Sequence, residues 1–139
     1  DLKEKFTKLI DELQLNNNCL LHHTVSNIAE KYCMSSIFVL SSRYEGFGLV
    51  LAEAMSCGIP CVSFDCPHGP SDIIKDHEDG LLVEKENIKE LADKICYLIE
   101  NENVRIKMGH KARENVKRLS AGKCDATMEK LIRIINLFF

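Results

Sequence analysis

The chain has 139 residues, about the length of one domain, and 45% of them are hydrophobic and 28% charged, close to the average for globular proteins. A formal net charge of −3 excludes a bulk positive field of the kind that holds nucleic acid. The apolar runs, such as those at 37–40 and 81–83, fall far short of the roughly 20 residues of a bilayer span, and the first residues lack the order of a secretory signal.

The first part of the chain is predicted to alternate helices and short strands. Apolar residues at helical spacing predict a helix over 2–13, which the asparagines at 16–18 end. A short strand is predicted at 19–21, and Ser26 is a plausible N-cap for a second helix. One face of that helix carries Ile28, Ala29, Tyr32 and Cys33. The run 37–40 is typical of a strand buried on both faces of a parallel sheet.

The same alternation continues to the end of the chain. A helix over 49–56 is stopped by Cys57, Gly58 and Pro60, and a buried strand follows at 61–64. After a turn rich in proline and glycine come a helical turn at 72–74 and a strand at 81–83. The last third is predicted to be helical, in the ranges 88–100, 104–119 and 123–139.

Strands that alternate with helices predict right-handed crossovers and a mostly parallel sheet with helices on both faces. The expected fold is therefore a doubly wound, Rossmann-like α/β domain with a helical C-terminal tail. Ligands of such sheets bind outside the carboxyl ends of the strands, so functional residues should follow each strand directly.

The residues after strand 37–40 form the strongest candidate site. Gly46 and Gly48 allow the backbone to approach a ligand, and the helix that begins near Gly48 directs free N–H groups towards the strand ends. Such a helix end binds phosphate without a Walker lysine. Glu45 precedes the helix and Glu53 lies inside it, and carboxylates accept hydrogen bonds from sugar and ribose hydroxyls. An ordinary strand–turn–helix junction is the alternative, but the glutamate spacing favours a ligand site.

This region resembles a known family. Residues 42–55, S-R-Y-E-G-F-G-L-V-L-A-E-A-M, followed by C-G-I-P-C-V at 57–62, are similar to the E-x7-E segment of retaining glycosyltransferase family 4. That segment belongs to the C-terminal, donor-binding half of a GT-B fold. The likeness continues through 69–74 and 79–83, whereas the first helix and the last third are only compatible with it.

The resemblance implies transfer of a sugar from a nucleotide-sugar, expected to be a UDP-sugar, with retention of configuration and without a metal or other cofactor. Glu45 would be the catalytic residue and contact the donor sugar, and Glu53 would bind the ribose. The backbone of Gly46, Phe47, Gly48 and Leu49 would hold the diphosphate or the sugar. Fixed N–H dipoles would stabilise the departing diphosphate, and the two glutamates are not expected to act as the acid and base of a glycosidase.

Other positions have two interpretations each. Thr24 and Val25 would contact the nucleotide base, or they belong to a plain loop. Arg43 would approach the phosphates, or it forms a salt bridge at the strand end. His22 and His23 are expected to be loop histidines rather than catalysts.

The seven cysteines are expected to be reduced thiols of a cytoplasmic protein, because their number is odd and the core needs no disulfides. Cys57, Cys61, Cys66 and His68 lie close together in sequence. Their C-x3-C-x4-C-x-H spacing lacks the short C-x2-C pairs of zinc sites, so no metal site is expected.

The family's donor domain opens with strands and a diphosphate-gripping Arg and Lys that this sequence lacks. We therefore expect residues 1–139 to be a partial nucleotide-sugar-binding domain, inactive alone, whose glycan or lipid-linked acceptor binds an absent N-terminal domain. A non-catalytic nucleotide-sugar-binding module and a UDP-sugar epimerase of the same architecture remain as alternatives.

The tail after Glu100 is locally basic, with eight lysines and arginines between Lys107 and Arg133. It would suit peripheral contact with the inner face of an anionic membrane if the acceptor is lipid-linked. The interspersed glutamates favour an ordinary solvated helix face instead. The apolar residues at 131–139 are expected to pack on another domain.

Overall fold

A computed structural model describes residues 1–120. The helix predicted at 123–139, with Cys124 and the apolar chain end, lies outside the described residues. The elements are α1 (Leu2–Glu12), α2 (Ile28–Cys33), β1 (Phe38–Leu40), α3 (Leu49–Ser56), β2 (Cys61–Asp65), α4 (Pro70–Ile73), β3 (Gly80–Glu84), α5 (Ile88–Glu100), α6 (Glu102–Asn115) and α7 (Lys117–Ser120).

The three strands form one parallel sheet in the order β1-β2-β3. Phe38 pairs with Cys61, which in turn pairs with Gly80, so β2 lies between its two neighbours. Each crossover between neighbouring strands contains a helix, as parallel pairing requires. The carboxyl ends of all three strands therefore meet at one edge of the sheet.

Helices cover both faces of this sheet, as predicted for an α/β fold. On one face, Leu51 and Met55 of α3 pack with Ala112 of α6 in a core cluster that includes Cys61 of β2. On the other face, Leu91 and Leu98 of α5 pack in a second cluster. Its strand residues are Val62, Phe64, Leu81 and Val83. The alternation along β2 thus sends successive side chains into opposite halves of the core.

A buried carboxylate fixes the turn before β3. Asp79 is fully buried and accepts hydrogen bonds from the backbone N–H of Lys75 at 2.7 Å and from the Asn115 amide at 3.0 Å. Arg118 forms an ion pair with the same carboxylate at 3.4 Å. These contacts join the α4–β3 connection to α6 and α7. A buried charge is tolerated because it is paired and hydrogen-bonded in this way.

Several local predictions were wrong. No strand forms at 19–21: the segment is irregular and Leu20 is 78% exposed. Within residues 1–120 no other strand lies beside it, and a strand needs a hydrogen-bonded neighbour. The strand predicted at 37–40 forms as β1, but it is not buried on both faces. It forms an edge of the described sheet, and Val39 is 38% exposed.

Several helix boundaries also differ from the predictions. The helical turn predicted at 72–74 is α4, which begins earlier, at Pro70, because proline suits the first turn of a helix. The N-cap of α2 is Asn27 rather than Ser26, and no side chain hydrogen-bonds to this helix end. The helix predicted at 104–119 begins earlier, at Glu102, and is divided into α6 and α7. Among the described helices, none has both the length and the apolar character needed to cross a bilayer.

Candidate functional site

The turn from β1 into α3 presents an uncapped helix end at the edge where the strands finish. Gly48 is the N-cap of α3 and has a left-handed conformation with φ +78°. A Cβ atom at Gly48 would also lie only 3.3 Å from Leu51 Cδ1. As in the first turn of any helix, the N–H groups of Leu49 and Val50 lack intrahelical partners, and among residues 1–120 no side chain caps this end of α3. The predicted helix end is therefore present, and anion binding there stays a prediction.

The loop after β2 packs directly against this turn. Gly69 lies so close to Phe47 that a Cβ on Gly69 would be 2.5 Å from the Phe47 carbonyl oxygen. The rings of Tyr44 and His68 meet edge to face, with centroids 6.5 Å apart. The loop 66–69 thus supports the glycine-rich turn from the side of β2.

The loop after β3 reaches the same edge through an ion pair. Arg43 Nε lies 3.0 Å from Glu86 Oε1, and both side chains are exposed. Of the two interpretations of Arg43, the structure shows the salt bridge at the strand end. Sequence analysis missed Glu86 as its partner, because the two residues lie on different loops. Contact between Arg43 and a phosphate stays a prediction.

The two glutamates of the E-x7-E segment have different surroundings. Glu45 is half-buried in the turn before Gly48. Glu53 is half-buried on α3, and its Oε2 atom accepts a hydrogen bond from the Tyr32 hydroxyl at 3.0 Å. Glu53 is therefore held from α2, whereas Glu45 belongs to the strand-end turn itself.

Tyr32 was expected only as part of an apolar helix face. It is 6% exposed, and its ring packs edge-on against Phe38 with centroids 5.7 Å apart. Burial, followed by the neighbouring Glu53 carboxylate, raises the pKa of Tyr32 above its ordinary value. The sequence held one signal for this contact, since a buried tyrosine hydroxyl usually needs a partner.

Thr24 and Val25 line a cavity of about 610 Å³ beside α2. Ile28 and Lys31 of α2 lie on its wall, and His22 and His23 complete one side. The lining of this cavity includes neither glutamate of the E-x7-E segment. His23 Nε2 lies 3.0 Å from Lys3 Nζ. The structure thus joins Thr24 and Val25 to α2 rather than directly to the glycine-rich turn.

The cysteines near the site are free thiols. Burial, together with the nearby Cys33, raises the pKa of Cys57 to about 12. Within residues 1–120, no group of three or more His, Cys, Asp or Glu side chains is placed to hold a metal ion. Cys57, Cys61, Cys66 and His68 therefore do not form a metal cluster in the described structure.

A family model and individual relatives of this chain indicate the same family. The family described as "Glycosyl transferases group 1" matches residues 1–115. Poly(ribitol-phosphate) alpha-N-acetylglucosaminyltransferase of Staphylococcus aureus (strain COL) is 35% identical over 135 residues, which are 97% of this chain and 27% of that protein. N-acetyl-alpha-D-glucosaminyl L-malate synthase of Bacillus anthracis is 35% identical over 78% of this chain and 28% of its own length.

The solved structures agree with these relatives. The crystal structure of TarM has a TM-score of 0.82 and 34% identity, covering 98% of this chain and 27% of that one. A mutant of S. aureus TarM, solved in complex with fondaparinux, alpha-GlcNAc-glycerol and UDP, has a TM-score of 0.83 and 32% identity. It covers 97% of this chain and 27% of the other. The chain therefore spans little more than a quarter of the length of these relatives.

Proposed function

The chain belongs to the glycosyl transferases group 1 family, with the fold of GT-B glycosyltransferases, and on that premise we propose that it is the donor-binding portion of a retaining family 4 enzyme. The donor is a UDP-sugar. The observation that supports this best is the convergence of three strand-end loops on the uncapped N-terminus of α3, with one glutamate before that helix and one inside it. UDP is present in the similar TarM complex.

Each residue of the E-x7-E segment has one task in this proposal. The backbone of Gly46, Phe47, Gly48 and Leu49 binds the donor diphosphate. Because their N–H groups are fixed in place, they stabilise the charge on the departing UDP without reorganising. Glu45 accepts hydrogen bonds from the donor sugar and is the catalytic residue.

The nucleoside lies beside α2 and Glu53 of α3 in this proposal. Tyr32 occupies only one oxygen of Glu53, and a carboxylate has about four acceptor positions, so capacity remains for ribose hydroxyls. Thr24 and Val25 contact the base from the cavity beside α2. Arg43 reaches the phosphates once it releases Glu86.

The acceptor is a glycan or a related cell-surface polymer, in lipid-linked or free form. Two similar proteins are named for poly(ribitol-phosphate) and poly(glycerol-phosphate) as acceptors, and others for capsular polysaccharide or amylovoran biosynthesis. We place the acceptor on a part of the protein outside this chain, and the reaction on the cytoplasmic side without a metal.

Isothermal titration of the full-length protein with UDP tests the binding site. Glu53→Ala should weaken UDP binding about 10- to 100-fold, because hydrogen bonds to charged groups contribute about 1.5–3 kcal/mol. The matched control is Glu100→Ala at the exposed end of α5, which should leave the affinity unchanged. Equal affinities for UDP in all three proteins would contradict the assignment of Glu53.

Turnover with UDP-sugars separates the enzyme classes. We expect a glycosylated acceptor whose new bond keeps the anomeric configuration of the donor, as read from proton couplings in NMR. Glu45→Gln should lower turnover, and a metal chelator should not. Formation of free UDP and a free sugar epimerised at one ring carbon, without an acceptor product, would favour the epimerase alternative. UDP-sugar binding without turnover would favour the non-catalytic module.

A further inference from the structure

The carboxylate of Glu53 is held by a buried donor. Among the described residues, Tyr32 is the one whose side chain hydrogen-bonds to it, at 3.0 Å. The tyrosine itself is 6% exposed and packs against Phe38 from β1. Its hydroxyl therefore has little freedom to move, and it defines where one oxygen of Glu53 lies.

Such a contact affects ligand binding through the entropy of the glutamate. A glutamate side chain has three rotatable bonds, and fixing a long side chain costs up to about 2 kcal/mol. When a rigid neighbour has already fixed it, a ligand that uses the second oxygen does not have to meet that cost.

The position of α2 adds a second argument. One side of this short helix presents Ile28 and Lys31 to the cavity that also contains Thr24 and Val25. From the same helix, Tyr32 reaches Glu53 on α3. A nucleoside joins its base to its ribose through one covalent bond, so contacts to both parts must be held a short and nearly constant distance apart. A single helix that borders both contacts can hold that separation.

The protonation state of Tyr32 suits a hydrogen-bond donor. Burial, and then the adjacent Glu53, raises the pKa of Tyr32 above its ordinary value. The hydroxyl therefore keeps its proton at neutral pH, and it acts neither as a base nor as an anion.

We propose that Tyr32 is a positioning residue for the nucleoside, which fixes Glu53 so that its free oxygen accepts a hydrogen bond from the ribose. This inference rests on the proposed function, in which Glu53 binds the ribose of UDP. It adds a residue that lies 21 positions before Glu53 and outside the E-x7-E segment.

The test uses Tyr32→Phe in the full-length protein, because phenylalanine keeps the ring and its packing and removes the hydroxyl alone. Titration calorimetry should show UDP binding weakened about fivefold, as expected for one net hydrogen bond. Binding of 2′,3′-dideoxyuridine 5′-diphosphate, which lacks the ribose hydroxyls, should be equal in the two proteins. The matched control is Tyr97→Phe on the exposed side of α5, which should bind both nucleotides like the unchanged protein.

A double variant removes the remaining ambiguity. If Tyr32 acts through Glu53, then Tyr32→Phe should cause no further loss of UDP affinity in a Glu53→Ala background. An equal additional loss in that background, or equal loss for both nucleotides, would show that the hydroxyl only supports the fold and would overturn the inference.

The result also separates the inference from the proposed function. If Glu53→Ala weakens UDP binding and Tyr32→Phe does not, the inference alone fails. If the unchanged full-length protein binds no UDP, the proposed function fails and the inference fails with it.

Discussion

A methyl group added at either of two glycines in the strand-end loops should affect the free energy of unfolding very differently. Gly69 has φ +112° and ψ −66°, a conformation that other residues rarely adopt. A Cβ there would lie 2.5 Å from the carbonyl oxygen of Phe47 and 2.7 Å from its carbon. At Gly46, in the turn that Gly69 supports, a Cβ would meet no atom of the described residues within 4 Å.

The magnitudes follow from these distances. At Gly69→Ala, the backbone conformation costs about 1–3 kcal/mol, and the overlap with a backbone carbonyl costs about 1–3 kcal/mol more. The expected loss is therefore about 2–6 kcal/mol, a large share of the 5–15 kcal/mol that stabilises a typical protein. Gly46→Ala should change the free energy of unfolding by about 0.5 kcal/mol or less, because its surroundings are open.

Urea unfolding and UDP-sugar binding together check this pair. The unfolding midpoint should fall in Gly69→Ala and stay the same in Gly46→Ala. If the donor approaches the open side of Gly46, then Gly46→Ala should weaken UDP-sugar binding although the protein stays folded. An unchanged midpoint in Gly69→Ala would refute the close packing of the two loops. Full donor affinity in Gly46→Ala would refute a close approach of the ligand at that residue.

Two further predictions concern the buried Asp79 and the half-buried Cys57. Asp79→Ala should lower the free energy of unfolding by about 2–4 kcal/mol in urea titration. The Lys75 N–H loses its acceptor, and Arg118 loses its ion-pair partner while only about a third of its side chain is exposed to water. Asp72→Ala, an exposed control, should change it by about 0.5 kcal/mol or less, and equal effects would contradict the role of Asp79. Iodoacetamide at pH 8 should label Cys57 more slowly than the exposed Cys96, as followed by peptide mass spectrometry. Burial raises the pKa of Cys57 to about 12, and only the thiolate form of a cysteine reacts. Equal labelling rates would contradict this expectation.

Local patterns predicted most of the helices and strands. The helices Leu49–Ser56 and Ile88–Glu100 have the predicted bounds, and the strand predicted at 61–64 extends by one residue to Asp65. These elements are encoded by hydrophobic spacing and by stop signals such as Gly58 and Pro60, which act within a few residues.

The strand predicted at 19–21 shows where this reasoning ends. Three apolar or neutral residues are compatible with an extended backbone, but a strand exists only when a neighbour accepts and donates its hydrogen bonds. The same limit applies to β1, whose apolar sequence suggested burial on both faces although Val39 is 38% exposed. Burial depends on what packs beside an element, and the sequence of the element does not contain that information.

The sequence by itself indicated a glycosyltransferase, the parallel α/β plan and the position of the glycine pair between two glutamates, because each depends on residue type and short spacing. Only the tertiary structure decided that Tyr32 holds Glu53, that Arg43 pairs with Glu86 and that Gly69 packs against Phe47. These contacts join residues on different elements, between 21 and 43 positions apart. They follow from how the sheet brings its strand ends together and from how Tyr32 of α2 reaches Glu53 of α3, which no periodicity within a single segment encodes.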